Sequence, residues 1–238
     1  MKQDASKRSS IHTGLGTVIA RLGLLLIVPL AVGGCTFKKT DVQNPAEMAK
    51  YDPASTARIR LISGQGAYAG FVSGQSCEQY FNDTYRKALA ARERPQGWNP
   101  SRIVPSGQST DIFGMWPSDY QNNVIGMPAS PVSAKIDETR RYFDERVVPA
   151  GQPLIVFVAF VTSGSSCSSA PVSFVPRAGA DYEVRQAFQS QTFQTTCRNE
   201  VVELKAGEEK PMSPNYCIQD SSGDYHTRSV TPVSQAGQ

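Results

Sequence analysis

Leu154-Ile155-Val156-Phe157-Val158-Ala159-Phe160-Val161 is a run of eight apolar residues, preceded by Pro149-Ala150-Gly151-Gln152-Pro153 and followed by a serine- and glycine-rich stretch. It is too short for a buried helix of ordinary length, and most of its side chains are β-branched or aromatic. Those features predict a central strand covered on both faces.

Working outward, each flank repeats the pattern of short strand and turn. Downstream lie Val172-Ser173-Phe174-Val175, a turn from Pro176 to Gly179, and a segment from Asp181 to Phe188. In that segment Tyr182, Val184 and Phe188 share one face, and Asp181, Glu183 and Arg185 the other. Thr192 to Leu204 makes a last strand through Cys197. Upstream, Phe143 to Val148 alternates roughly. Farther back, Ile59 and Leu61 alternate with Arg58 and Arg60, the period of a half-buried strand, and Tyr68 to Val72 reads as its hairpin partner. Gly64, Gly66 and Gly70 lack the spacing of a phosphate loop and read as a turn. Short strands between turn signals predict a mainly β fold, an antiparallel β-sandwich.

One stretch breaks the pattern. Within residues 78–94, Phe81, Tyr85, Ala88 and Leu89 fall on one helical stripe, and Pro95 and Gly97 end it. Such a stripe reads as packing rather than as a ligand platform. Residues 98–131 are long and irregular, with Trp116 and Tyr120 as either partner-binding aromatics or plugs against the sandwich. The sandwich is therefore expected over residues 57–210, with a helix-and-loop insertion at about 78–142 and a polar tail over 211–238.

The front of the chain carries an address. Lys2, Lys7, Arg8 and Arg21 precede a charge-free apolar run from Leu22 to Gly34 that is interrupted by Pro29. This run is shorter than the ~20 residues a membrane span needs and reads as an export signal over residues 1–34. It ends in Val32-Gly33-Gly34-Cys35, which resembles the lipobox of bacterial lipoproteins. The resemblance implies cleavage before Cys35, lipid on its thiol, and a flexible tether over 35–56. Two or more acyl chains would anchor the protein to a membrane without spanning it. Thr36, where an aspartate would signal inner-membrane retention, favours the outer membrane of a Gram-negative bacterium.

Charge and cysteine content narrow the function. Four of the 24 basic and one of the 21 acidic residues precede Cys35, leaving 20 of each and a formally neutral remainder. No basic footprint for nucleic acid is present. Cys77, Cys167, Cys197 and Cys217 are spaced too widely for a zinc site and suggest two disulfides in an oxidising envelope. Cys167–Cys197 with Cys77–Cys217 is favoured, because two strands folding back would join the first pair and the second would staple the tail to the front. The other two connectivities stay open. His12 and His226 are the only histidines, so no His-dependent triad or multi-histidine metal site is expected, and no cofactor. Asp137-Glu138 and Asp144-Glu145, flanked by Arg140, Arg141 and Arg146, read as a solvated charged face.

The sequence PAGQPL, a buried strand, SFVPRAGADYEV and a Cys-containing final strand resemble small β-sandwich envelope lipoproteins, similar in outline to transthyretin-like and PEGA-like modules. The resemblance spans roughly residues 143–204 and implies a fold and an envelope location, with no catalytic residues. The expected function is a non-enzymatic, membrane-anchored module that is structural or binds an envelope protein or glycan partner. The alternative is a cell-wall hydrolase or accessory enzyme using carboxylates.

Overall fold

The computed structural model describes residues 40–64, 67–101, 121–136, 141–161, 166–191, 194–205 and 208–229. Cys35, Trp116, Tyr120 and the Asp137-Glu138 pair lie outside these residues.

The fold is mainly β, with two sheets packed face to face. The first sheet has the order β1-β5-β6-β2-β10-β11-β12. Its strands are β1 (Thr40–Gln43), β2 (Thr56–Gly64), β5 (Gln121–Val124), β6 (Arg141–Pro149), β10 (Asp181–Gln191), β11 (Gln194–Lys205) and β12 (Glu208–Pro211). The second has the order β14-β13-β9-β7-β3-β4, with β8 also pairing β7. It consists of β3 (Ala67–Ser73), β4 (Asn99–Pro100), β7 (Leu154–Val161), β8 (Ser166–Ser168), β9 (Val172–Phe174), β13 (Asn215–Gln219) and β14 (Tyr225–Ser229).

The expected central strand, β7, is flanked by β3 and β9. Leu154, Val156 and Val158 point into the sandwich and meet Ile59, Leu61, Tyr182, Val184 and Val201 of the first sheet. Burying each such side chain contributes about 1.5–3 kcal/mol. Ile155, on the opposite face of β7, is just as buried and packs beneath the helical segment. Both faces are covered, which explains the unbroken apolar run.

Four expectations need correction. β2 and β3 are not a hairpin: β2 pairs with β6 and β10, whereas β3 pairs with β7 and β4 in the other sheet. Nor is the sandwich wholly antiparallel, since β2–β10, β1–β5 and β5–β6 are parallel pairs. Residues 40–56, expected to belong to a flexible tether, are ordered from Thr40 onward, where β1 joins the first sheet. The turn of helix that follows, Pro45–Met48, is capped by the Asn44 side chain and buries Glu47, whose carboxylate accepts the Val147 N–H at 2.9 Å. The polar tail over 211–238 is structured through Ser229: β13 pairs with β9, and β14 closes a hairpin on it. β14 is an edge strand with mostly exposed side chains, so it needs no apolar residues.

Candidate functional site

The irregular segment after β5 covers the outer face of the first sheet through one buried cation. Arg60 is 2 % exposed and stands between Glu145 of β6 and Glu183 of β10, its direct neighbours across the sheet. Its guanidinium donates to Glu145 Oε1 at 2.6 and 3.0 Å and to Glu183 Oε2 at 3.2 Å. The other Glu145 oxygen accepts the Ile125 and Met127 N–H groups, and Glu183 also accepts from Ser130 and Arg185. The solvated charged face expected of Asp144 and Glu145 is therefore wrong: both are buried, as are Arg60 and Glu183. Period two revealed the alternation but not the segment that covers it. Each oxygen of Glu145 and Glu183 is engaged, so the cluster clamps residues 125–133 to the sheet.

The outer face of the second sheet carries a cavity. Cys77 begins a helical segment, a π-helix over Gln79–Tyr85 that continues as an α-helix over Arg86–Ala91. π-helical turns are rare and frequently mark functional sites. The helix ends at Arg92, whose left-handed backbone (φ 57°) stops it before Pro95. Of the expected stripe, Phe81, Tyr85 and Ala88 turn inward, whereas Leu89 is 58 % exposed. Between this segment and the sheet lies a cavity of about 560 Å³, lined by Tyr80, Phe81, Trp98, Phe157, Ser169 and Tyr225 among others. The size lies within the usual range for small-molecule sites.

Four features shape this cavity. The Cys77–Cys217 disulfide (Cα–Cα 5.4 Å) fastens the start of the helix to β13 and is fully buried in the wall. Phe81 stacks on Tyr225 with ring centres 4.4 Å apart, and Tyr80 meets Phe81 edge-on at 4.9 Å. Trp98 lies tight on the backbone of β3, so close that a Cβ at Gly70 would come within 2.4 Å of the indole. Finally, the β13–β14 hairpin is hooked to the helix. Asn82 exchanges two hydrogen bonds with the Tyr225 backbone, at 2.7 and 2.9 Å, and Arg86 pairs with Asp224.

The second bridge, Cys167–Cys197 (Cα–Cα 6.0 Å), joins β8 to β11 and so ties one sheet to the other. Both disulfides have the connectivity favoured from the sequence.

The Glu78 carboxylate, which accepts the Thr227 N–H at 2.6 Å, is a further titratable part of the hook. Burial pushes its pKa up, but hydrogen bonds from its own backbone, from Thr227 and from Ser76 outweigh this and lower it from 4.5 to about 2. A folded-state pKa below the unfolded one gives stability that is complete above the unfolded value and lost as pH falls toward the folded one. The hairpin dock should therefore weaken between about pH 4.5 and 2. Acid titration followed by Tyr225 fluorescence is expected to show this limb, and Glu78→Gln to remove it.

Ser169 lines the cavity and its buried hydroxyl has no hydrogen-bond partner among the described residues. An unsatisfied buried hydroxyl costs ~1–3 kcal/mol. Ser169→Ala is accordingly expected to raise the stability of the ligand-free protein by about 1 kcal/mol. A lowered melting temperature would contradict that.

The sequence pointed to this wall only in part: it identified the aromatic stripe but assigned it to packing. Phe157, Trp98 and Tyr225 come from three distant segments that only the fold brings together. Among the described residues there is no cluster of three or more metal-ligating side chains and no helix long and apolar enough to cross a membrane. Comparison with family models, curated proteins and solved structures finds no match.

Proposed function

We propose that the protein is a lipid-anchored module of the cell envelope that captures a partner in its aromatic cavity and catalyses no reaction. The observation that carries this reading is the cavity itself, roomy, aromatic and walled by a buried disulfide. Two disulfides suit an oxidising compartment. The lipobox-like Val32-Gly33-Gly34-Cys35 supplies the anchor, with lipid on Cys35 and the outer membrane of a Gram-negative bacterium as its address. Glu145 and Glu183 are 0 % exposed and fully bonded, so neither of these two carboxylates reaches a substrate.

Two measurements test the proposal. Mass spectrometry of the N-terminal peptide from envelope fractions should find acylated Cys35, and Cys35→Ala should release the protein from membranes. A predominant unlipidated wild-type form would overturn the anchor. Capture from envelope extracts should fail for Phe81→Ala with Tyr225→Ala. Should Trp116→Ala with Tyr120→Ala abolish capture instead, the binding surface lies on the 98–131 loop.

A further inference from the structure

We propose that the cavity holds the hydrocarbon chain of an uncharged, lipid-like ligand, an inference that rests on the capture reading above. Among the described residues the lining contains no Lys, Arg, His, Asp or Glu. An ionic head buried there would lack a counter-charge, and an isolated charge in an apolar site is strongly disfavoured. Nor does the Tyr80 phenol add an anion, since burial pushes its hydroxyl up to about 12.

The choice between a sugar and a chain follows from the wall. Ile155, Phe157, Ala170, Pro171 and Cys217 present carbon and sulfur over much of it. A pyranose offers hydroxyls on every side, and those facing such groups would go unpaired at a cost that accumulates. The ring faces a sugar would stack on are partly taken, because Phe81 and Tyr225 cover one another. A methylene chain needs no partners and gains from every apolar contact.

The test uses the full-length lipidated protein in phospholipid nanodiscs and two photoactivatable probes, a diazirine-bearing dodecanol and a diazirine-bearing N-acetylglucosamine. After irradiation, adducts are mapped by peptide mass spectrometry. The alcohol is expected to label peptides containing Tyr80–Tyr85, Phe157, Ser169–Pro171 and Tyr225, at least about tenfold above the sugar, a difference of about 1.4 kcal/mol. Ala170→Trp, which fills the space, should reduce that labelling at least about tenfold. If Ala170→Trp does not fold, judged by circular dichroism and melting, Phe157→Ser is expected to cut the labelling in the same direction. Labelling of these peptides by the sugar alone would overturn the hydrocarbon assignment while keeping the capture reading. Labelling of neither kind, or alcohol labelling that both substitutions leave unchanged, would overturn both.

Discussion

Arg60→Met is expected to lower the free energy of unfolding by about 3–5 kcal/mol, measured by urea denaturation at neutral pH. The size follows from what is left behind. Glu145 and Glu183 stay buried on either side of the vacancy, and with the guanidinium gone each loses a principal partner. Residues 125–133 also lose the hydrogen bonds from Arg60 to Ser133 and to the Met127 carbonyl. Removing one member of a buried ionic cluster is far costlier than replacing the whole cluster with apolar groups. Adding Glu145→Gln and Glu183→Gln to Arg60→Met should therefore recover much of the loss. A loss under about 1 kcal/mol for Arg60→Met alone would mean that water reaches the carboxylates and that they clamp nothing.

The second large effect belongs to the bridge in the cavity wall. Cys77→Ala with Cys217→Ala is expected to cost about 5 kcal/mol, against about 4 kcal/mol for Cys167→Ala with Cys197→Ala. The loops closed span 140 and 30 residues respectively, and the longer loop leaves the reduced chain more freedom. The location of the damage separates the two further. Without the long bridge, the described contacts between the helical segment and the β13–β14 hairpin are the Asn82, Glu78 and Arg86 hooks and the packing of Phe81 and its neighbours on Tyr225. Hydrogen exchange should then rise in residues 79–91 and 215–229 well before it rises in β7. Uniform exchange across both sheets would show that the bridge stabilises the whole fold rather than the wall.

How much of this could be read from the chain depends on where each signal was local. The run Leu154 to Val161 announced a strand buried on both faces, because burial is written directly in its side chains. Cysteine parity and the strand order between Cys167 and Cys197 favoured the pairing that the structure holds. The alternation around Arg60 was legible but its environment was not. An arginine facing outward from a strand reads as solvated unless the covering segment is visible, and residues 121–136 carry no periodicity that announces a cover. The C-terminal hairpin was hidden for the opposite reason. β14 lies at a sheet edge and keeps polar side chains, which are indistinguishable by composition from an unstructured tail. The cavity was least legible, because its aromatics are individually ordinary and converge only through the sheet-to-helix packing.

The nested order of the cysteines has a consequence for biogenesis. Cys77 pairs with the last cysteine of the four, while the two between them pair with each other. Under the export proposed above, the chain emerges from its N-terminus, and Cys77 meets Cys167 and Cys197 before Cys217 reaches the same side. Oxidation in order of appearance would join Cys77 to Cys167, and thiol–disulfide exchange would then have to undo that link. A correct product requires that the inner pair close first, as its shorter loop favours, or that an isomerase reshuffle the bonds on a timescale of seconds to hours. Strains lacking disulfide isomerase should therefore accumulate this protein with mispaired thiols. A copy shortened just ahead of Cys217 would carry a permanently unmatched Cys77, an easy target for quality control.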